Sequence, residues 1–410
     1  MAIPTKKELM DFSQINTGGR EEVPEYKRKV FSEIKESLQK GLITAITGLR
    51  RVGKSTLIKQ LLGENSFYFS FDEKKYVNTE TLKNVLEVFT NESEHPTIAL
   101  DEIYRVEDWA GVLKRYHDQK KAKFIVSGSS SLMIKKGVES LSGRLFEHYV
   151  PPLRFDEYIE MKGEAPETPK LKDAFRVKKR HREDAEEFLK KGSFPEIVTM
   201  DEKTASGYIR TSTIEKIVFD DIPYTFRIDN PSKLYDLLKL CAANSSQLYT
   251  EVNFAEALQM SRHAVSDYLL YLQKAYLVDI LYSRGSFQKA LKKQKKIFTK
   301  TASIYNAISE SPSLGQSAET AVYDKLSCMK TAFYRDSQKR EVDFITSFPI
   351  EVKYQSAITS QDTANLLYYM KQYKVKEGIM VTKELFDEKE INGKIIRYIP
   401  LDVFLLLKLS

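Results

Sequence analysis

Over the first third of the chain, short apolar runs alternate with stretches of helical spacing. Residues 42–47 ("LITAIT") are too short for a helix and run into a glycine, which predicts a buried strand; "KSTLIKQLL" then follows with the apolar positions of a helix. The alternation repeats. Strands are predicted at 67–73, 97–100 and 123–131, and helices near 80–90 and 108–118. Strands alternating with helices predict a mostly parallel sheet covered on both faces.

The pattern then changes. Residues 161–230 are polar and charged ("MKGEAPETPK", "RVKKRHREDAEEFLKKG"), with a helical stretch packing by Tyr208, Ile209, Ile214 and Ile217. They read as a helical connector or lid. Residues 231–300 hold three amphipathic helices, the third opened by a serine cap at Ser261, then two strands about a turn at Gly285. That order predicts a winged helix whose third helix exposes Arg262, His263 and Ser266. Residues 301–410 alternate again: a helix ("GQSAETAVYDKLS"), the strands "VDFIT" and "PIEVKY" about a turn at 347–349, a helix and a strand.

Composition adds bounds. The chain has 410 residues, 42% of them hydrophobic, enough to fill two or three cores. Its 13 prolines and 17 glycines argue against a long disordered tail. No apolar run approaches the roughly 18 residues of a membrane span. The start "MAIPTKKELMDF" lacks an apolar signal region, and Cys241 and Cys328 form no metal pattern, so a cytoplasmic protein is expected. The net charge of +7 suits an anionic partner. Seven lysines and arginines and no acid lie in 284–300, a wing suited to DNA phosphates. Protein contacts or a rigid spacer are the alternatives for the same module.

The chemistry concentrates at two places. "GLRRVGKST" at 48–56 matches G-x-x-x-x-G-K-[ST] between the predicted strand and helix. Gly48, Arg51, Val52, Gly53, Lys54, Ser55 and Thr56 are the candidate phosphate-binding residues. Backbone N–H groups would face the phosphates of ATP, Lys54 would reach the β- and γ-phosphates, and Ser55 would hold Mg²⁺. Downstream, "TIALDE" ends a strand in Asp101, a Mg²⁺ ligand by expectation, and Glu102, which would polarise the attacking water. Ser127 ends another strand and is either a γ-phosphate contact or a strand cap. Arg144 is either an arginine finger for a neighbouring subunit, making a homo-oligomer, or a surface salt bridge.

"ITGLRRVGKSTLIKQLL", "IALDEIYRVEDWAGVLKRYHD", "FIVSGSSSLM", "LSGRLFEHYVPPLRFDEYI" and "GSFPEIV" resemble a family of prokaryotic AAA+-type ATPases in which an AAA+-like core precedes a C-terminal domain of uncharacterised function. The resemblance implies a Walker A loop at 48–55, a Walker B pair at Asp101 and Glu102, a polar sensor at Ser127 and a finger at Arg144. Trp109 matches a recurrent Asp-Trp and reads as an aromatic anchor beneath the Walker B loop.

The second place is "REVDFITSFPIEVKYQ" at 340–355. A hairpin sets Asp343 beside Glu351 and Lys353, and period two puts Glu351 and Lys353 on one face. With Glu319 on the preceding helix, this resembles the restriction-endonuclease-like PD-(D/E)xK fold. The resemblance implies Mg²⁺ on Glu319, Asp343 and Glu351, with Lys353 as a catalytic group. A surface hairpin with a Glu–Lys contact satisfies the same string. Val342 stands before Asp343 where that family has proline, and Asp324 is a second acid on the helix of Glu319.

The expected α/β architecture is therefore a P-loop NTPase (AAA+-like) core at 1–160, a helical connector or lid at 161–230, a winged helix at 231–300 and a nuclease-like domain at 301–410. The expected function is Mg²⁺-dependent ATP hydrolysis coupled to DNA binding and, if the last domain cuts, to cleavage. A protein-remodelling or signalling ATPase acting on a partner protein, or a nucleotide-switched DNA-binding protein with an inactive nuclease fold, are the alternatives.

Overall fold

The computed structural model describes residues 3–14, 23–128, 141–228, 230–285 and 294–409. Residues 129–131 of the fourth predicted strand, and 286–293 of the basic segment, lie outside them. The chain folds as two compact units, Met1–Pro152 and Leu153–Ser410. The division falls before the expected end of the core at 160.

The first unit is built on five parallel strands, β1 (Ile43–Thr47), β2 (Ser66–Ser70), β3 (Thr97–Asp101), β4 (Lys123–Gly128) and β5 (Leu145–Tyr149). Their order is β2-β3-β4-β1-β5. Strand β4 thus lies between β1 and β3, and all three C-terminal ends share one edge. That edge is where ligands bind open parallel sheets. Strand β1 is buried throughout, as its uninterrupted apolar run requires. Helices Thr79–Glu92 and Trp109–Asp118 cover the sheet with Leu82, Val85, Phe89, Trp109 and Leu113. Asn78 caps the first of these by accepting from the N–H of Thr81. Trp109 is fully buried beside Ile103 and Tyr104, directly after the acid pair.

The second unit begins with helices Phe155–Met161 and Arg182–Lys191. Phe155 and Tyr158, from the end of the expected core, and Phe188 and Leu189, from the expected connector, enter the same core as Phe298, Phe344, Val352 and Phe404. The expected connector is thus part of this unit's own interior. Arg180 clamps it there through a two-pronged ion pair to buried Asp402, at 2.8 and 2.6 Å. The helix expected around Tyr208 to Ile217 forms, but residues Ile209–Asp221 take wide π turns. The run is rich in β-branched residues, and Thr211 and Thr225 donate back to carbonyls four residues earlier, which loosens an α-helix.

Three helices follow, Pro231–Ala243, Glu251–Leu258 and Arg262–Lys274. They pack on an antiparallel sheet of β6 (Leu248–Tyr249), β7 (Val278–Leu281) and β8 (Lys295–Thr299), with β8 central. Ser261 caps the third helix through the N–H of Ala264. The last six strands are β9 (Ala332–Arg335), β10 (Glu341–Ile345), β11 (Pro349–Lys353), β12 (Glu377–Thr382), β13 (Asp387–Ile391) and β14 (Lys394–Pro400). They form a mixed sheet in the order β13-β14-β12-β11-β10-β9. Helices Leu314–Leu326 and Ser360–Gln372 flank it. Beyond β7 the chain pairs with β9: Arg284 N–H donates to the Phe333 carbonyl at 2.6 Å, and Phe333 N–H to that of Tyr282 at 3.1 Å. The small sheet is thereby stitched to the large one. Among the described residues no helix is long and apolar enough to cross a membrane.

Candidate functional site

The loop between β1 and helix Lys54–Leu61 turns through positive φ at Gly48 (148°), Arg51 (69°) and Gly53 (90°). At Gly48 glycine is obligatory twice over. A Cβ there would sit 2.4 Å from the carbonyl oxygen of Val150, and L side chains rarely adopt its φ. Lys54 begins the helix, nearly buried, and its ammonium donates to the carbonyls of Gly48 (2.9 Å) and Leu49 (3.1 Å). Val52 packs its side chain into the core, while Arg51 and Ser55 are exposed and Thr56 is half-buried. Sequence reasoning missed Arg28. Its buried guanidinium donates to the carbonyls of Val52 (2.6 Å), Pro151 (2.9 Å) and Pro152 (3.3 Å), fixing the loop from below.

Asp101 ends β3 with both carboxylate oxygens held. Ser127, at the end of β4, donates its hydroxyl to Oδ1, and Tyr68 donates to Oδ2 at 2.7 Å. Glu102 N–H points at Asp101 Oδ1 and Ser127 Oγ, both at 3.2 Å, and Glu102 itself takes a left-handed φ of 53°. Burial, then the charge of Asp101, raises the Tyr68 phenol so that it stays a donor. The fold thus gathers the loop, Lys54, Asp101, Glu102 and Ser127 on one sheet edge. Arg144 is elsewhere. Its carbonyl accepts from Ile43 N–H at the opposite end of β1, roughly 16 Å away at strand rise, and its guanidinium pairs with Asp118 at 2.7 and 3.2 Å.

A loop that has no room for a Cβ at Gly48, with a lysine at its rim and a helix N-terminus behind, fits a nucleotide's phosphates. Exposed Ser55 and fixed Asp101 are the residues that would hold its Mg²⁺.

The second cluster lies in the large sheet. Strands β10 and β11 pair as the hairpin predicted, with Phe344 opposite Ile350. Asp343 and Glu351 meet: Asp343 N–H donates to Glu351 Oε2 at 3.3 Å, and Lys353 donates to Oε1 at 2.7 Å. Both acids are buried, which removes the surface-hairpin reading. Burial, then the charge of Asp343, raises Glu351 to about 8 and Glu319 to about 7. Burial opposes the charge of Asp343 as well, yet Lys296 and Lys353 hold it below the usual carboxylate range.

Lys296 is the residue the sequence reading misplaced. The sequence places it in the basic segment offered to DNA. It is buried instead, donating to Asp343 Oδ1 at 3.0 Å and paired with Glu341 at 2.7 Å. Lys295 pairs with Glu251 and Lys300 with Asp279, and Arg284 stacks on Tyr373. The described part of the segment is therefore engaged within the fold. Strand period two was the available signal, since it puts Lys296 on the face of buried Phe298.

The cluster does not fit a divalent ion as folded. Asp343 Oδ2 accepts from Val352 N–H at 3.0 Å, and two ammonium groups, Lys296 on Asp343 Oδ1 and Lys353 on Glu351 Oε1, already supply the positive charge an ion would bring. Among the described residues, the group of three whose ligand atoms lie within 4.8 Å of one another is Glu164, His181 and Asp184. Lys162 and Lys179 already pair with its two carboxylates.

One family model bears on the first unit. Residues 40–159 match the model of an AAA domain, and residues 182–317 and 314–404 match two domains of unknown function. Two uncharacterized proteins of Methanocaldococcus jannaschii are each 26% identical to the chain, one across 78% of it and 75% of its own length, the other across 93% and 90%. A solved complex of S. cerevisiae Hsp104 with ADP aligns at 15% identity and a TM-score of 0.31, over 64% of this chain and 41% of that one. Residues 40–159, with their phosphate loop, acid pair and inserted β4, are an AAA+-like P-loop NTPase core.

Proposed function

We propose that the chain is a Mg²⁺-dependent ATP phosphohydrolase whose nucleotide cycle acts on DNA held by the second unit. The convergence of Lys54, Asp101, Glu102 and Ser127 on one sheet edge carries the reading. Lys54 and the loop N–H groups bind and orient the phosphates. Glu102 positions and polarises the attacking water, and Ser127 and Tyr68 hold Asp101 in place. Bound Mg²⁺ supplies charge neutralisation on the phosphate oxygens. The setting is the cytoplasm, where Cys241 and Cys328 stay free thiols.

DNA as partner is supported by the second unit's topology. Three helices on a three-stranded antiparallel sheet fit a winged helix, and Arg262, His263 and Ser266 lie exposed at the start of the third. The helix-flanked mixed sheet fits a restriction-endonuclease-like fold. The buried Lys296 ammonium against Asp343 favours the non-cutting version, a nucleotide-driven DNA-binding protein. Arg144, far from its own loop, serves as a finger only in a homo-oligomer.

The test is ATP turnover with and without duplex DNA at low salt. Wild type should hydrolyse ATP faster with DNA. Lys54→Ala should lose nucleotide binding, and Glu102→Gln should bind ATP without turning it over. Tight ATP binding by Lys54→Ala sinks the site, and turnover indifferent to DNA, with no DNA affinity, points to a protein partner instead.

A further inference from the structure

Two ammonium groups approach the buried carboxylates of the second unit, and they come from different places. Lys353 sits two residues from Glu351 on the same strand and belongs to the motif itself. Lys296 comes from β8, the central strand of the small sheet, and reaches Asp343 across 47 residues of sequence. Its side chain is 3% exposed, and its Nζ lies between Asp343 Oδ1 at 3.0 Å and Glu341 at 2.7 Å. A buried ammonium between two carboxylates occupies the ground a divalent cation would need, in both space and charge.

The position of Lys296 is fixed by three independent features. Strand β8 is paired on both sides, to β6 and to β7. Its neighbours Ile297 and Phe298 are fully buried, and Phe298 stacks on Tyr323 with ring centroids 4.3 Å apart. Residues 282–284, following β7, are tied to β9 by backbone hydrogen bonds on either side of Phe333. These features fix the backbone of Lys296, and its burial with two carboxylate partners holds the ammonium against Asp343.

We infer that Lys296 is a resident cation that closes the Asp343–Glu351 pair to divalent metals, so that the small sheet locks the carboxylate site of the large one. The inference rests on the geometry of this cluster and holds whether or not the core hydrolyses ATP. It assigns Lys296 a role distinct from DNA contact and makes the lock a property of the joined modules: a metal enters only where the Lys296 ammonium leaves Asp343 or Lys296 is replaced.

The experiment is Mn²⁺ binding to the full chain without nucleotide, followed by the electron paramagnetic resonance of the free ion. Wild type and Asp343→Asn should bind the same number of Mn²⁺ ions. Any ion at Glu164, His181 and Asp184, or at the phosphate loop, is common to both and cancels. Lys296→Met should gain one ion at about a hundredfold tighter affinity than wild type, because a unit positive charge has left the site. Asp343→Asn in that background should abolish the gain, and Lys296→Arg, which keeps the charge, should not show it. Lys296→Met/Glu341→Gln removes one carboxylate along with the ammonium and serves where the single variant does not fold. Loss of a bound ion on going from wild type to Asp343→Asn overturns the inference, because metal then enters past Lys296. Absence of any gain in folded Lys296→Met, or in the double variant, overturns it equally, because Lys296 is then not what keeps metal out.

Discussion

The phenol of Tyr68 donates to Asp101 Oδ2 at 2.7 Å from the neighbouring strand, in a buried site. Ser127 holds the other oxygen. The Mg²⁺-side acid is therefore oriented by two hydroxyls from the strands on either side of its own. Tyr68→Phe should lower stability by about 2 kcal/mol, the usual worth of a hydrogen bond to a charged group. ATP binding through the loop should survive, while kcat falls because Asp101 loses one of its two restraints. Urea denaturation and a nucleotide titration read the two effects separately. Unchanged kcat in a destabilised protein would make Tyr68 a packing residue only.

Gly48 has no room for a methyl group. The added Cβ of Gly48→Ala would lie 2.4 Å from the Val150 carbonyl oxygen, at a φ of 148°. The loop must move, at a strain cost of about 1–3 kcal/mol. Binding of a fluorescent ATP analogue should be lost, with the fold retained by circular dichroism. Wild-type affinity in this variant would show that the loop geometry tolerates what its backbone forbids.

Arg28 joins the loop to the end of the first unit through three carbonyls, those of Val52, Pro151 and Pro152. Arg28→Met orphans all three and should cost about 3 kcal/mol. Nucleotide KM should rise more than kcat falls, because the residue positions the loop and touches no reacting atom. Arg28→Lys should rescue only in part, since a point charge cannot serve three acceptors set apart like these. Equal loss in kcat with an unchanged KM would contradict a positioning role.

How much of this was legible follows from how far apart the partners lie in sequence. The phosphate loop and the pair Asp101 and Glu102 are local strings, each ending a strand, and the α/β pattern around them is periodic enough to read. The Asp343, Glu351 and Lys353 geometry was legible for the same reason, because a hairpin and a two-residue repeat fix it. Tyr68 and Asp101 are 33 residues apart, Arg28 and Pro151 are 123 apart, and no local pattern links them. Lys296 was misread because its sequence neighbours are basic, while its partners sit on another sheet. The connector around Phe188 was misjudged by its charge: Ala185, Phe188 and Leu189 on one face sufficed to bury it.

Asp324, the second acid on the helix of Glu319, offers a pH test away from that cluster. Burial, against the attraction of Lys300, raises its pKa from 3.8 to about 6. Between those two values the folded chain holds more protons than the unfolded one, so this group makes stability fall as pH rises. Its penalty is absent below about pH 4 and fully present above about pH 6, with an upper bound of about 3 kcal/mol. Asp324→Asn removes the titration. The variant should match wild type near pH 4 and exceed it near pH 7.5 in urea midpoint, the gap opening through the interval between. A variant less stable than wild type at the higher pH would mean that the attraction to Lys300 outweighs burial, and that Asp324 is a stabilising anion.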